Sequence, residues 1–113
     1  MLILAILFFI GTGYAGYLLS TSHKRGTKPL NFLRTTHRNS ALLGLSCLGI
    51  HVFTGETNTL LTIGFVLFCA TIAGGFTLFR DVSPQDQKPM LLIYAHASTA
   101  ALALLLTIAG ALG

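Results

Sequence analysis

The chain carries four histidines, at positions 23, 37, 51 and 96, and few other reactive side chains. His96 lies inside an apolar run, 91–106, and His37 stands early in another apolar segment. An ionisable residue within a membrane segment points to function by default. Two imidazoles suit haem best, because porphyrin iron takes two axial ligands and neutral histidine is a frequent one. The flat macrocycle needs small residues beside its ligands. Ala41 and Gly44 lie one and two turns beyond His37, and Ala100 and Ala103 do so beyond His96. Arg34 and Arg38 fall where propionates would emerge, and guanidinium pairs well with carboxylate. Anchoring in lipid headgroups explains both arginines equally well. A single histidine in such a helix is more often a polar packing residue bonded to a neighbouring helix. Two at matched depth shift the balance towards ligation.

The other two histidines fit less well. His51 follows His37 by 51 − 37 = 14 residues, nearly four turns, so the two share a helix face. In that spacing the helix resembles those of two-haem membrane cytochromes. The counterpart of His51 in the second half of the chain is Gly110, which cannot ligate, so His51 is expected to pack near the outer interface. His23 sits in a basic loop and is expected to be solvent-exposed.

The elements that must position these side chains are membrane helices. Of 113 residues, 53% are hydrophobic and 9% charged, where a soluble domain would carry about 25% charged residues. Too few polar groups remain to cover a water-facing surface, so lipid must cover part of it. Spanning the hydrocarbon takes about 20 apolar residues, and four segments qualify: 2–20, 31–53, 59–79 and 90–112. The second is the weakest, with Arg34, His37 and Arg38 in its first turns. The expected fold is all-α, one domain forming a four-helix transmembrane bundle. The N-terminal segment lacks the positive start of a secretory signal and is expected to be retained.

A weak duplication organises the four segments. Lys28-Pro29-Leu30 recurs as Lys88-Pro89-Met90, an offset of 88 − 28 = 60. Each follows an apolar helix and precedes a helix with an early histidine. Ser40, Ala41 and Gly44 then match Thr99, Ala100 and Ala103. The chain thus reads as two helical hairpins of the same orientation, a parallel repeat. His37 and His96 would lie at similar depths, roughly 10–12 Å below their helix starts.

Charge sets the expected topology. The net charge is +4, and every Lys and Arg belongs to the first or third connection. Those connections are expected to face the cytoplasm or the stromal side of a thylakoid membrane, with both termini outside. Because the basic residues sit between apolar segments, lipid rather than nucleic acid is the expected partner. Pro29 and Pro89 suit first helical turns, Pro84 lies within the third connection, and Gly55 suits a helix end. Glycines 11, 13, 16, 74 and 75 suit close helix packing. Cys47 and Cys69 are expected to pack as small apolar groups.

Leu33-Arg34-Thr35-Thr36-His37-Arg38, followed by a Gly-spotted helix, resembles a segment of small b-type membrane cytochromes. It is also similar to a family of short four-helix membrane proteins of cyanobacteria, in which Arg-x-x-His-Arg opens the second helix. In that family a histidine followed by Thr or Asn and an apolar run opens the fourth helix, as His96-Ala97-Ser98-Thr99-Ala100 does loosely here. The resemblance covers about residues 30–112 and implies His37 and His96 as ligands of haem b. The absent partner for His51 departs from the two-haem pattern.

Two functional classes follow. The first is a one-haem, bis-histidine electron carrier or redox subunit. The second is a cofactor-free accessory or assembly subunit of a larger membrane complex. An enzyme or transporter is disfavoured, because Glu56, Asp81 and Asp86 all fall in loops and no nucleotide, protease or nucleophile motif is present.

Overall fold

The structure, a computed structural model, describes residues 1–26, 31–80 and 90–113, apart from the side chains of His23, Leu78, Phe79, Arg80 and Met90. The expectations for Lys28, Pro29, Asp81, Pro84, Asp86, Lys88 and Pro89, and for the side chain of His23, therefore lie outside the described residues. The fold is all-α, with four helices among the described residues: α1 (Leu2–Lys24), α2 (Asn31–Thr54), α3 (Thr59–Arg80) and α4 (Met90–Leu112). Backbone hydrogen bonds within a helix satisfy every polar group of a membrane segment without a partner strand.

The helix ends have local causes. α1 runs four residues past the expected limit at Ser20. Its last turns hold Ser20, Thr21 and Ser22, whose hydroxyls donate to the carbonyls of Tyr17, Tyr17 and Leu18 at 2.9, 2.9 and 3.2 Å. These polar side chains are satisfied by their own helix, so loss of apolar character does not end it. Gly26, at φ +68°, turns the chain away two residues beyond Lys24, a conformation that glycine adopts without steric cost. α2 ends as expected at Gly55, whose N–H donates to the His51 carbonyl at 2.8 Å.

The chain divides into two compact units, Met1–Asn58 and Thr59–Gly113. In the first, α1 and α2 form an antiparallel hairpin: Phe9 meets Gly44, Thr12 meets Ser40, and Gly16 meets His37. Its buried residues are Ala5, Phe9 and Ala15 on α1 with Ala41, Gly44 and Leu48 on α2. In the second, Gly64 meets Ala103 and Thr107, and Gly75 meets His96, so α3 and α4 are likewise antiparallel. Leu61, Phe68, Thr71, Ala103 and Thr107 are buried there.

Three helices, α1, α3 and α4, are long and apolar enough to cross a membrane. Four spans were expected, and α2 falls short of that standard. It is long enough, at 24 residues, but an almost unbroken polar stretch from Arg34 to Ser40 dilutes its first half. Large apolar side chains stand exposed along the other helices, among them Ile3, Leu7, Val66, Leu91 and Leu105. Such a surface needs an apolar environment to cover it.

Candidate functional site

His37 projects from α2 onto α1, where its Nδ1 lies 2.9 Å from the backbone carbonyl oxygen of Thr12. A carbonyl only accepts, so Nδ1 donates. In the neutral ring this places the lone pair on Nε2. The approach depends on Gly16. A Cβ at that position would lie 3.0 Å from His37 Cε1 and 3.3 Å from Nδ1, closer than ordinary carbon contacts of about 3.5–4.0 Å. Gly16 stands one turn beyond Thr12 on α1, so its missing side chain uncovers the carbonyl that the imidazole reaches.

The second hairpin repeats the close approach of a histidine ring to a glycine, with Nε2 rather than Nδ1 as the nearer nitrogen. A Cβ at Gly75 would lie 3.0 Å from His96 Cε1 and 3.6 Å from Nε2. The offsets agree, 75 − 16 = 59 and 96 − 37 = 59. The hydroxyls beside each histidine match as well. Thr12 donates to the Phe8 carbonyl and Thr71 to that of Leu67, both at 2.8 Å. Ser40 donates to the Thr36 carbonyl at 2.7 Å, and Thr99 to that of Ala95 at 2.8 Å. In the first hairpin Thr12 Oγ1 and Ser40 Oγ also lie 2.7 Å apart across the seam, where one hydroxyl can turn its single proton from its own helix to the other.

The small residues along the histidine face have partners within each hairpin. Gly44 lies under Phe9: a Cβ there would sit 3.0–3.2 Å from three atoms of the ring. Ala41 is buried and Ala103 fully so, whereas Ala100 is half-buried. Their smallness first serves the approach of paired helices. The tightest approach is at Gly64, where a Cβ would meet Thr107 Oγ1 at 2.5 Å. Thr107 is fully buried and donates its hydroxyl to the Ala103 carbonyl at 2.8 Å.

The remaining residues divide by exposure. Arg34, one turn before His37, is half-buried; Arg38 is exposed, and its Nε donates to Asn39 Oδ1 at 3.3 Å. His51 is half-buried at the far end of α2, with its ring near Gly55. Cys47 and Cys69 are free thiols, half-buried, one in each unit. No group of three or more metal-ligating side chains occurs among the described residues.

Sequence reasoning reached the two histidines and named Gly16 and Gly75 among the packing glycines without linking them to the rings; it missed Thr12 and the Gly64–Thr107 approach. The signal was available. Aligned at 59, Leu2, Phe9, Thr12 and Gly16 of α1 fall on Leu61, Phe68, Thr71 and Gly75 of α3. The duplication therefore extends through all four helices, not only the second of each pair. No family model, curated protein or solved structure matches the chain.

Proposed function

We propose that this chain is a multi-pass membrane protein that binds one haem b through His37 and His96, serving electron transfer or a membrane redox complex. The observation that carries the reading is the duplicated histidine-over-glycine pair. Each hairpin holds one imidazole at the same position of its seam. In the first, the bond from Nδ1 to the Thr12 carbonyl orients the ring. Iron-ligating histidines commonly donate their second ring nitrogen in this way, which fixes the tautomer that coordinates. Two histidines among apolar helices are the donor set that such a group takes. Haem would supply the one-electron chemistry; the chain would supply the two imidazoles, that of His37 oriented by its bond to Thr12, in an apolar surround. The resemblance of the Arg34–Arg38 stretch to b-type cytochromes agrees with this reading.

In the proposed arrangement α2 crosses the membrane with α1, since the two pack antiparallel from Phe9–Gly44 to Gly16–His37. Its polar first half lies at the basic end, where Arg34 and Arg38 extend towards headgroups. The positive-inside rule then puts the first and third connections on the cytoplasmic or stromal side and both termini opposite.

A second reading is favoured by the same hydrogen bond. An imidazole bonded to a carbonyl across a helix seam also locks a hairpin by itself, as expected of a cofactor-free accessory subunit. Haem content of purified alanine variants separates the two. On the haem reading, His37→Ala and His96→Ala each lose haem or turn high-spin, while His51→Ala retains it. Retention of haem by both His37→Ala and His96→Ala, or loss of haem only in His51→Ala, would overturn it.

A further inference from the structure

Thr12 is met twice by α2. Its backbone carbonyl accepts from His37 Nδ1 at 2.9 Å, and its hydroxyl lies 2.7 Å from that of Ser40. Ser40 stands 40 − 37 = 3 residues beyond His37, about one helical turn, and its hydroxyl also lies 3.3 Å from the His37 carbonyl. The second hairpin carries hydroxyls at both equivalent positions, Thr71 and Thr99. Among the described residues these bond only to their own helices, through the carbonyls of Leu67 and Ala95. The two hairpins thus share a histidine, a glycine and two hydroxyls, but the first alone brings its hydroxyls together.

Counting protons shows how this bridge holds. Each hydroxyl has a single proton. Thr12 can give its proton to the Phe8 carbonyl at 2.8 Å or to Ser40, and Ser40 can give its own to the Thr36 carbonyl at 2.7 Å or to Thr12. Either hydroxyl can therefore donate across the seam while the other donates to its own helix. The carbonyl released in the exchange lies inside a helix and keeps its backbone bond. A bond across the seam is thus open in both orientations at little cost. Such bonds between side chains tie membrane helices together. This one adjoins the imidazole and falls on the residue that receives Nδ1, so it sets the spacing at which the ring meets α1.

We infer that Ser40 and the Thr12 hydroxyl are positioning residues for His37. They hold α2 close enough to α1 for the ring to keep its bond to the Thr12 carbonyl, a restraint that Thr71 and Thr99 do not give His96. Donation from one ring nitrogen raises the basicity of the other as a ligand. Hydrogen bonding behind an axial ligand is one of the levers that set a haem potential, and a more basic imidazole lowers it. That redox consequence rests on the haem reading and makes His37 and His96 inequivalent ligands. The placement of the ring does not depend on that reading.

Two measurements on the full chain in lipid bilayers test the inference. The first is a double-mutant cycle of Thr12→Val and Ser40→Ala, read from the unfolding equilibrium. A bond between membrane helices changes that equilibrium about threefold on average and up to about fifteenfold, and this factor should appear as coupling. The pair Thr71→Val and Thr99→Ala should show none. Additive effects of Thr12→Val and Ser40→Ala would overturn the bridge, whether or not the chain binds haem. The second is the Nδ1 proton resonance of His37, followed by solid-state NMR of histidine-labelled protein expressed without haem precursor. Ser40→Ala should move it upfield as the bond to the Thr12 carbonyl lengthens, whereas Thr99→Ala should leave the ring resonances of His96 in place. Coupling without that shift would reduce the hydroxyls to a fastener of the helices and overturn the positioning role. In protein that holds haem, Ser40→Ala should also raise the midpoint potential and Thr99→Ala should not; an unchanged potential in Ser40→Ala would overturn the inequivalence of the two ligands. A wild-type protein that stays colourless with haem supplied, yet shows the coupling and the shift, would remove the haem reading and support the positioning of His37.

Discussion

Replacing Gly16 by alanine tests the seam at the point where the structure allows least room. The new methyl group would stand 3.0 Å from His37 Cε1, so the ring must retreat by roughly 0.5 Å to reach an ordinary carbon contact. A retreat of that size carries the 2.9 Å bond from Nδ1 to the Thr12 carbonyl to roughly 3.4 Å, beyond good hydrogen-bond geometry. An interhelical hydrogen bond in a membrane is worth about 0.6 kcal/mol on average and up to about 1.7. Against that, alanine favours the helix over glycine by up to about 1 kcal/mol. The two effects nearly cancel, so the single substitution is uninformative in magnitude. The informative quantity is its coupling to His37. In a His37→Ala background no ring is in the way, and Gly16→Ala should stabilise the protein by up to about 1 kcal/mol. The expected coupling is that of the lost bond, about 0.6–1.7 kcal/mol, read from a double-mutant cycle by steric-trap unfolding in bicelles. Effects that add within about 0.5 kcal/mol, the range for independent sites, would refute the contact.

The other expectations rest on separate contacts. Gly64→Val should open the second hairpin, because even its Cβ would overlap Thr107 Oγ1 at 2.5 Å; overpacking of this kind costs about 1–3 kcal/mol, read by the same unfolding assay. Gly44→Ala should destabilise the first hairpin through the Phe9 ring at 3.0 Å, and Phe9→Leu should relieve most of that penalty. Gly75→Ala should shift His96 as Gly16→Ala shifts His37, so on the proposed haem reading each should alter the absorption bands without removing the haem. A cysteine placed at Ser22 should resist membrane-impermeant labelling from outside intact cells; efficient labelling would reverse the proposed orientation.

The sequence made the helices legible because hydrocarbon thickness leaves one simple requirement, a long apolar run between polar loops. The rule is weakest at α2, where length qualifies but the polar stretch from Arg34 to Ser40 lowers the hydropathy. It stopped α1 short at Ser20, because hydropathy does not register hydroxyls that bond back to their own helix. His37 and His96 stood out as rare ionisable groups in apolar segments. Gly16 and Gly75 did not, because nothing in a glycine-spotted helix says which glycine meets a ring. Gly11, Gly13 and Gly74 have no neighbour within 4 Å of a would-be Cβ, yet their surroundings in sequence are similar. Only the pairing of helices distinguishes them. Likewise Gly44 stood out as a small residue near a candidate ligand, while its partner, Phe9, lies on a different helix.

The visible absorption spectrum of the full chain, purified in mild detergent after expression with ample haem precursor, tests the central claim most directly. Two imidazoles on one iron should give a low-spin spectrum, with an intense Soret band and sharp α and β bands on reduction with dithionite, at one haem per chain by pyridine haemochrome. A folded, helical and colourless protein would contradict the account and leave His37 and His96 as the polar fasteners of two membrane hairpins.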